Sequence, residues 1–314
     1  MTARDYLEEW LTEQELFLRR STWEALTIYV RKHLAPYFDT TEVSDITPAM
    51  CQQYARDKLR NGRADGNGGL SPVSVRKHVS ILKRALGDAV LLGLIPNNPA
   101  QYVRLPRNDS SVAPRTVFLT PEEARAVIEA FEGHSLYPAV VLALYYGLRR
   151  SEVLGLRWQA VDFRLDKLTV SHIVVKNLTI QAKDSTKTKA SRRAFQLLPE
   201  VREMLLELKK RGQNGDYILH RENGSPLRPD SLTRGFQRVL KRNGFAPMRF
   251  HDLRHSTASI LFDRGWSIED VKEWLGHSDI ETTSNIYLHY RSQRKTLLAH
   301  DLEGMLIAKK KSPD

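Results

Sequence analysis

Residues 104–116, RLPRNDSSVAPRT, separate two parts of the chain that differ in patterning, and this break constrains the fold more than any other feature. The stretch is polar and basic and carries two prolines, which lack a backbone N–H and interrupt helices and central strands. Since 314 residues suffice for two domains of ordinary size, we predict a first domain over residues 1–105, a linker over 106–116 and a second domain from residue 117.

The first domain is predicted to be entirely helical. Apolar residues recur at helical spacing after Thr2, and Thr47 followed by Pro48 is the pattern of a helix start. A longer helix covers the segment SPVSVRKHVSILKRALGDAVLLGL, in which apolar residues form one stripe. Basic side chains lie elsewhere around this helix, at Arg76, Lys77, Lys83 and Arg84.

The second domain combines helices with a short β region. Thr120 and Glu123 around Pro121 predict a helix start with a capping box. The segment YPAVVLALYYGL reads as a buried helix, and three strand-like segments follow it, namely LDKLTVSHIVV, NLTIQAKDS and RRAFQLLP. From Pro199 the pattern is helical again to about Leu306. The predicted fold class is therefore mainly α with a small antiparallel β-sheet, in two domains.

Composition indicates which partner and which cellular compartment suit the chain. Lys and Arg number 48 against 37 Asp and Glu, and the resulting net charge of +11 suits a polyanion such as nucleic acid. The single cysteine, Cys51, rules out an internal disulfide, makes a cysteine-based zinc site implausible and fits a reducing compartment. The start MTARDYLEEW is no secretory signal, and the longest apolar run falls short of the about 20 residues that a membrane span needs. We therefore expect a cytoplasmic protein with no membrane partner.

The segment RFHDLRHSTASILF, residues 249–262, places a titratable imidazole and a permanent cation at the edge of the predicted core. Leu253 and Thr257 belong to a core-facing helical stripe, whereas His251 and Arg254, three residues apart, share a different face. Two histidines four residues apart, His251 and His255, could bind a metal ion, but the cationic Arg254 between them disfavours one. We therefore predict no metal site and no cofactor.

The other polar clusters each have a structural explanation when taken singly. Arg149 and Arg150 follow a glycine after the buried helix, where arginines often cap a helix or pair with a surface acid. Lys187 and Lys189 could belong to a solvated hairpin turn. The segment LGHSDIETTSNIYLHY could be a C-capping glycine followed by a new helix start.

Together these clusters resemble the tyrosine recombinases, the phage-integrase-like enzymes of site-specific DNA strand transfer. Four motifs match in order and spacing, and they are GLRRSEVLGLRW (147–158), TKTKASRRAFQL (186–197), HDLRHSTASILFDRG (251–265) and LGHSDIETTSNIYLHY (275–290). The likeness is strong over residues 117–295. The helical first domain, which ends in NNPA, resembles the SAM-like core-binding domain of the family. The chain is most similar to integrases of phages and conjugative transposons.

The resemblance implies a catalytic set that acts on one DNA phosphate, and its members are Arg149, Lys187, His251, Arg254, His277 and Tyr287. Arg149 and Arg254 would hold the scissile phosphate, and the two histidines would flank it. Tyr287 would be the nucleophile, and Lys187 the general acid for the leaving 5′-oxygen. Glu152 would support the first arginine. The basic side chains of the last N-terminal helix, with Lys189 and Arg192, are candidates for DNA contacts.

Three of these assignments have a rival in the sequence. Arg150 adjoins Arg149, but the preceding Gly-Leu pair favours Arg149. Lys189 is an alternative to Lys187. Tyr290 is an alternative nucleophile, although Tyr287 stands in the Tyr-x-His context and lies ten residues after His277, where many members of the family have nine.

The implied activity is metal- and ATP-independent cleavage and rejoining of DNA through a 3′-phosphotyrosine intermediate, which integrates or excises a mobile element. The implied partners are double-stranded recombination sites and other copies of the chain, as a tetramer on DNA and a monomer or weak oligomer without it, with an excisionase-type accessory protein as a further candidate. We expect the enzyme to lie on the nucleoid when bound to DNA. Residues 296–314 would form a C-terminal helix and tail that either packs on its own domain or docks on a neighbouring protomer. The alternatives are a nicking-closing enzyme resembling type IB topoisomerases and a DNA-binding protein without chemistry.

Overall fold

The computed structural model describes residues 1–63, 66–106, 116–176, 180–184, 193–212 and 215–276, together with Ser284, Tyr287 and Leu288. It divides into two compact units, with the described residues up to 106 in the first and those from 116 onward in the second. Most of the predicted linker and all of the C-terminal segment lie outside the described residues, so the predicted domain boundaries stay predictions. Within the described part of the chain, no helix has the length and apolar character needed to cross a membrane.

The first unit consists of helices that begin where the sequence supplies a cap. Side-chain oxygens of Thr2, Thr47 and Ser71 each accept a hydrogen bond from a backbone N–H in the first helical turn. The helix starts predicted at Thr2 and at Thr47 are therefore confirmed. The elements are α1 (Ala3–Phe17), α2 (Arg20–Tyr29), which continues as a π-helical turn (Val30–Leu34), a 3₁₀ turn (Val43–Asp45), α3 (Pro48–Asn61) and α4 (Pro72–Leu91).

Helix α4 joins the rest of this unit through buried aromatic side chains. Tyr6 donates its hydroxyl proton to the carbonyl oxygen of Ala85 at 2.5 Å, and Trp10 Nε1 donates to Asp88 Oδ2 at 2.6 Å. On α3, the Tyr54 hydroxyl lies 2.8 Å from Nδ1 of the buried His78. Each ring thus buries its apolar body while its polar atom is paired, which fixes α1 and α3 on α4.

The second unit has helix α6 at its centre. This helix is the predicted YPAVVLALYYGL helix, and nearly all of its side chains are buried, which confirms that prediction. The capping box of Thr120 and Glu123 at the start of α5 is also confirmed. The elements are α5 (Pro121–Ala130), α6 (Tyr137–Tyr146), α7 (Arg150–Gly155), a 3₁₀ turn (Trp158–Ala160), β1 (Val161–Asp162), β2 (Lys167–Val170), β3 (His172–Lys176), β4 (Ile180–Asp184), β5 (Arg193–Gln196), α8 (Pro199–Lys210), α9 (Pro229–Arg242), α10 (Phe250–Asp263) and α11 (Ile268–Leu275).

The strands form two antiparallel ladders. One has the order β1-β2-β5, with Leu168 opposite Phe195, and the other pairs β3 with β4. Gly155 at the end of α7 lets that helix lie against β3, since a Cβ there would come within 2.5 Å of the carbonyl oxygen of His172. The predicted fold class, mainly helical with a small antiparallel β-structure, is confirmed, and its strands are shared between two ladders.

Candidate active site

Arg149 is held in place by the helix that begins after it. It is the N-cap of α7, where its backbone N–H donates to Glu152 Oε2 at 2.8 Å and its Nη1 donates to Glu152 Oε1 at 2.8 Å. Its Nη2 donates to the carbonyl oxygen of Gly276 at 3.1 Å. The neighbouring Arg150 instead points to α9, where Nη1 donates to Thr233 Oγ1 at 2.8 Å. The two arginines of the GLRRSE motif therefore bind different partners, Glu152 and Thr233.

Glu152 is a buried carboxylate at the junction of three guanidinium groups. Besides Arg149, it binds Arg193 of β5 through two parallel hydrogen bonds of 3.0 and 2.8 Å. Nη1 of Arg254 lies 4.0 Å from Glu152 Oε2. Burial by itself would raise the pKa of Glu152, but hydrogen bonding and charge from Arg193, with the charges of Arg149 and Arg254, outweigh it and lower the pKa to about 2. The carboxylate is therefore ionised at neutral pH.

Arg254 is almost completely buried, with 1% of its surface exposed. Its Nη1 donates to the carbonyl oxygen of Gly147 at 2.6 Å, and its Nη2 donates to that of Leu275 at 2.7 Å. Its Nε has no hydrogen-bond partner among the described residues. Burial and the charge of Arg149 lower the pKa of Arg254, but a guanidinium starts so high that it stays protonated. Arg254 therefore keeps an N–H group, at Nε, that no described residue accepts from and that is left to bind an anion.

His251 and His255 adjoin Arg254 on the first turns of α10. Their ring centroids lie 4.7 Å apart in an edge-to-face arrangement. His251 exposes part of its surface, yet loss of water around its ring, with positive charge at His255, Arg254 and Arg149, lowers the pKa of His251 to about 4. In the free protein this imidazole is therefore neutral at pH 7 and can accept a proton.

Tyr287 lies against the far end of the same helix. Its ring packs edge-to-face on Phe262, with centroids 5.0 Å apart, next to an apolar cluster that includes Val271 and Leu275. Phe262 follows Arg254 by eight residues, which is about 12 Å along a helix axis. The ring of Tyr287 is therefore in contact with α10 about two turns beyond Arg254.

Several predicted site residues lie outside the described residues, and they are Lys187, Lys189, Arg192, His277 and Tyr290. Their roles stay predictions.

Sequence reasoning missed Arg193. It selected the neighbouring Arg192 as a DNA contact, whereas Arg193 is 8% exposed in its side chain and grips Glu152. The signal that could have found it is the two-residue period of a strand, which puts Arg193 and the buried Phe195 on one face. An arginine on the buried face of a strand needs an acidic partner.

In the first unit, the side chains of two basic candidates on α4, Arg76 and Arg84, contact other residues of the protein. Arg76 Nη2 donates to the carbonyl oxygen of Pro106 at 2.9 Å, and the Arg84 guanidinium lies over the Trp10 ring, 5.2 Å from its centroid. Lys77 is exposed and Lys83 is half-buried. Their contacts with DNA stay predictions.

Comparison with known proteins follows the same division of the chain. The model of the phage integrase family matches residues 117–294, and that of the phage integrase N-terminal SAM-like domain matches residues 2–59. A XerC-like tyrosine recombinase of Caldanaerobacter subterraneus subsp. tengcongensis is 26% identical, over 98% of this chain and 84% of the relative. The ICEBs1 integrase of Bacillus subtilis is 26% identical, over 88% of this chain and 76% of the relative.

Solved structures agree in fold. The Tn1549 transposon integrase in complex with a circular intermediate DNA superimposes with a TM-score of 0.72 at 20% identity, covering 95% of this chain and 99% of that chain. A lambda integrase dimer bound to a core site gives a TM-score of 0.67 at 19% identity, covering 91% of this chain and 77% of that chain.

Proposed function

This chain belongs to the phage integrase family of tyrosine recombinases, which cleave and rejoin DNA at specific sites, and we propose that Arg149 and Arg254 hold the scissile phosphate while Tyr287 attacks it. The observation that carries the proposal is the meeting of both arginines beside the single carboxylate of Glu152. Arg149 comes from the start of α7 and Arg254 from α10, 105 residues later in the chain (254 − 149). Three guanidinium groups around one carboxylate leave an excess of positive charge, which suits the binding of an anion.

The two arginines suit the charge that the reaction develops. When an oxygen nucleophile attacks a phosphodiester, negative charge accumulates on the nonbridging oxygens, and a planar guanidinium can donate two parallel hydrogen bonds to them. Arg149 is about one-third exposed in its side chain, so it can reach a bound phosphate from its present place. Because fixed cations neutralise the charge, the proposed reaction needs no metal ion.

The proton transfers complete the proposed reaction. Tyr287 first moves from its contact with Phe262 to the bound phosphate. Its phenol oxygen then forms a bond to phosphorus, and the neutral imidazole of His251 takes up its proton. The bond from phosphorus to the 5′-oxygen breaks, and Lys187 donates the proton that the leaving oxygen needs. His277 would donate a further hydrogen bond to the phosphate. The 3′-phosphotyrosine ester conserves the energy of the broken bond, so a free 5′-hydroxyl can reverse the attack without ATP.

The substrate and assembly are proposed by analogy with relatives. Similar structures are integrases bound to DNA, including a lambda integrase tetramer on a Holliday junction. We infer that this chain acts on two double-stranded sites as a tetramer in the bacterial cytoplasm, with an excisionase-type accessory protein controlling direction. Its net charge of +11 supports binding to DNA phosphates, and affinity should therefore fall steeply with salt.

Covalent trapping tests both the nucleophile and the substrate. The wild-type protein is incubated in EDTA with a library of nicked duplexes, and the strands attached to protein are sequenced. We expect the wild type to form adducts and Tyr287→Phe to form none, while Tyr290→Phe, the matched control, retains them. Adducts formed by Tyr287→Phe would reject Tyr287 as the nucleophile.

A second assay separates recombination from the nicking-closing alternative. Relatives named tyrosine recombinase and integrase favour recombination over a type IB topoisomerase activity. On the site recovered by trapping, we expect joining of two duplexes. Relaxation of supercoiled plasmids of any sequence, with no joint product, would contradict this choice.

A further inference from the structure

Strand β5 is attached to the site by an arginine that has no part in the proposed bond-making and bond-breaking steps. Arg193 is the first residue of the strand and pairs with Val170 of β2. At the other end of the strand, the Tyr146 hydroxyl donates to the carbonyl oxygen of Gln196 at 3.2 Å and accepts from the backbone N–H of Leu198 at 3.0 Å. The ladder and Tyr146 therefore fix the register and the end of the strand, and the side chain of Arg193 fastens its first residue to Glu152 of α7.

The contact of Arg193 with Glu152 is suited to positioning. Both terminal nitrogens of Arg193 bind the two carboxylate oxygens, at 3.0 and 2.8 Å, and both side chains are buried. A two-pronged bond fixes orientation as well as distance, and lysine cannot reproduce it. Arg149 binds the same two oxygens through its backbone N–H and its Nη1. The orientation of the carboxylate that Arg193 sets is thus the orientation on which Arg149 depends.

A second contact attaches the same strand face to α11. The Arg193 guanidinium lies over the Phe195 ring, 5.4 Å from its centroid, and Phe195 packs edge-to-face on Trp274 at 4.9 Å. Trp274 directly precedes Leu275, whose carbonyl oxygen accepts from Arg254. Arg193 is therefore linked to the surroundings of both phosphate-binding arginines.

We propose that Arg193 is a positioning residue for DNA cleavage, which locks β5 to Glu152 and thereby sets where the segment carrying Lys187 enters the site. This rests on the proposed function. Lys187 precedes Arg193 by six residues, so the anchored start of β5 limits the region that its amine can reach. Both terminal nitrogens of Arg193 are bound to Glu152, so its effect passes through the groups that it holds.

The test compares two leaving groups on the cleavage site recovered by covalent trapping. One substrate has the normal bridging 5′-oxygen, and the other has sulfur there, which departs without being protonated. We expect Arg193→Gln and Arg193→Lys to slow adduct formation on the oxygen substrate by about 100-fold, within the range of lost general-acid catalysis. On the sulfur substrate both variants should recover at least about tenfold of this loss, because protonation no longer limits the rate, and any remaining loss measures the effect that passes through Arg149.

Controls separate this proposal from the function on which it rests. Arg202→Gln removes a half-exposed arginine that pairs with Asp166 in the same unit, and it should leave both rates unchanged. If the wild type forms no adduct on either substrate, the proposed function fails. If the wild type does so while both Arg193 variants lose rate equally on the two substrates, or lose none, the positioning role is overturned. Arg193→Lys keeps the charge and decides the matter if Arg193→Gln does not fold.

Discussion

Arg254 Nη2 donates a 2.7 Å hydrogen bond to the carbonyl oxygen of Leu275, so a buried cation of α10 caps the C-terminus of α11. The same guanidinium donates to the carbonyl oxygen of Gly147 at the end of α6. Orphan carbonyls at helix ends need donors, and here one side chain serves two helices. The residue proposed to bind phosphate is therefore also part of the structure that holds the site together.

The first prediction follows from this double role. Arg254→Lys should lower the free energy of unfolding by about 3 kcal/mol, because a lysine amine cannot reach both carbonyls and leaves a buried acceptor unpaired. Urea denaturation measures the loss, and covalent trapping should show that DNA cleavage is also lost. The control is Arg264→Lys, an exposed arginine just after the same helix. Equal stability of the two variants would contradict the role of Arg254 in joining the helices.

The second prediction concerns acid stability. The folded-state pKa of Glu152 is about 2 against an ordinary value of 4.5. A lowered carboxyl pKa stabilises the folded protein above the ordinary value, and this stability is lost as the pH falls from about 5 towards 2. The difference of 2.5 units (4.5 − 2) corresponds to about 3 kcal/mol, as an order of magnitude.

Glu152→Gln isolates this contribution. The amide cannot titrate, so the variant should be less stable than the wild type at pH 7, and the difference between them should shrink as the pH approaches 2. Unfolding in urea at several pH values measures it. Glu207→Gln, at an exposed helical pair with Arg211, should show no such dependence. A stability difference between Glu152→Gln and the wild type that stays constant from pH 7 to pH 3 would be inconsistent with a strongly lowered pKa for this carboxyl group.

Local signals were readable from the sequence, whereas long-range partners were not. The caps at Thr2 and Thr47 were predictable because a cap and its helix are neighbours in the chain. The contact between Glu152 and Arg193 spans 41 residues and depends on how α7 meets β5. Nothing in the local sequence around either residue predicts that these two side chains meet.

Neighbouring arginines also differ in their contacts, and the sequence predicts these contacts only in part. The sequence favoured Arg149 over Arg150 from the preceding Gly-Leu pair, and the structure places Arg149 beside Glu152 and Arg150 beside Thr233. It also singled out Arg192, although the two-residue period of a strand puts Arg193 on the face of the buried Phe195; the acidic partner of Arg193, Glu152, is distant in the sequence.

The third prediction concerns the protonation of His251. In the free protein its pKa is lowered to about 4, chiefly by loss of water and by positive neighbours. A bound phosphate adds negative charge next to the ring and favours the protonated form, so DNA should raise this pKa. NMR titration of the imidazole, assigned by the signal lost in His251→Asn, measures both states. A free-protein midpoint near the ordinary value of 6.5, unmoved by DNA, would refute the idea that loss of water around the ring and positive neighbours keep it neutral.

The fourth prediction concerns Gly147, which precedes Arg149 by two residues. Gly147 ends α6 at φ 60°, and a Cβ there would come within 2.3 Å of Leu275 Cδ2. Gly147→Ala should therefore combine left-handed backbone strain with overpacking, at a cost of about 2–5 kcal/mol in the free energy of unfolding, measured in urea. Since the contact with Leu275 adjoins the carbonyls bound by Arg254, the same variant should also slow covalent trapping.

A second glycine of similar backbone conformation separates strain from overpacking in this fourth prediction. Gly244 has φ 75°, but a Cβ added there would meet no atom within 4 Å. Gly244→Ala should therefore lose only about 1–2 kcal/mol, from strain alone. The excess loss at Gly147 then measures the contact with Leu275. Equal losses of stability in the two variants would mean that α11 yields freely to the added methyl group, and the close packing of α6 on α11 would then have no part in fixing Arg254.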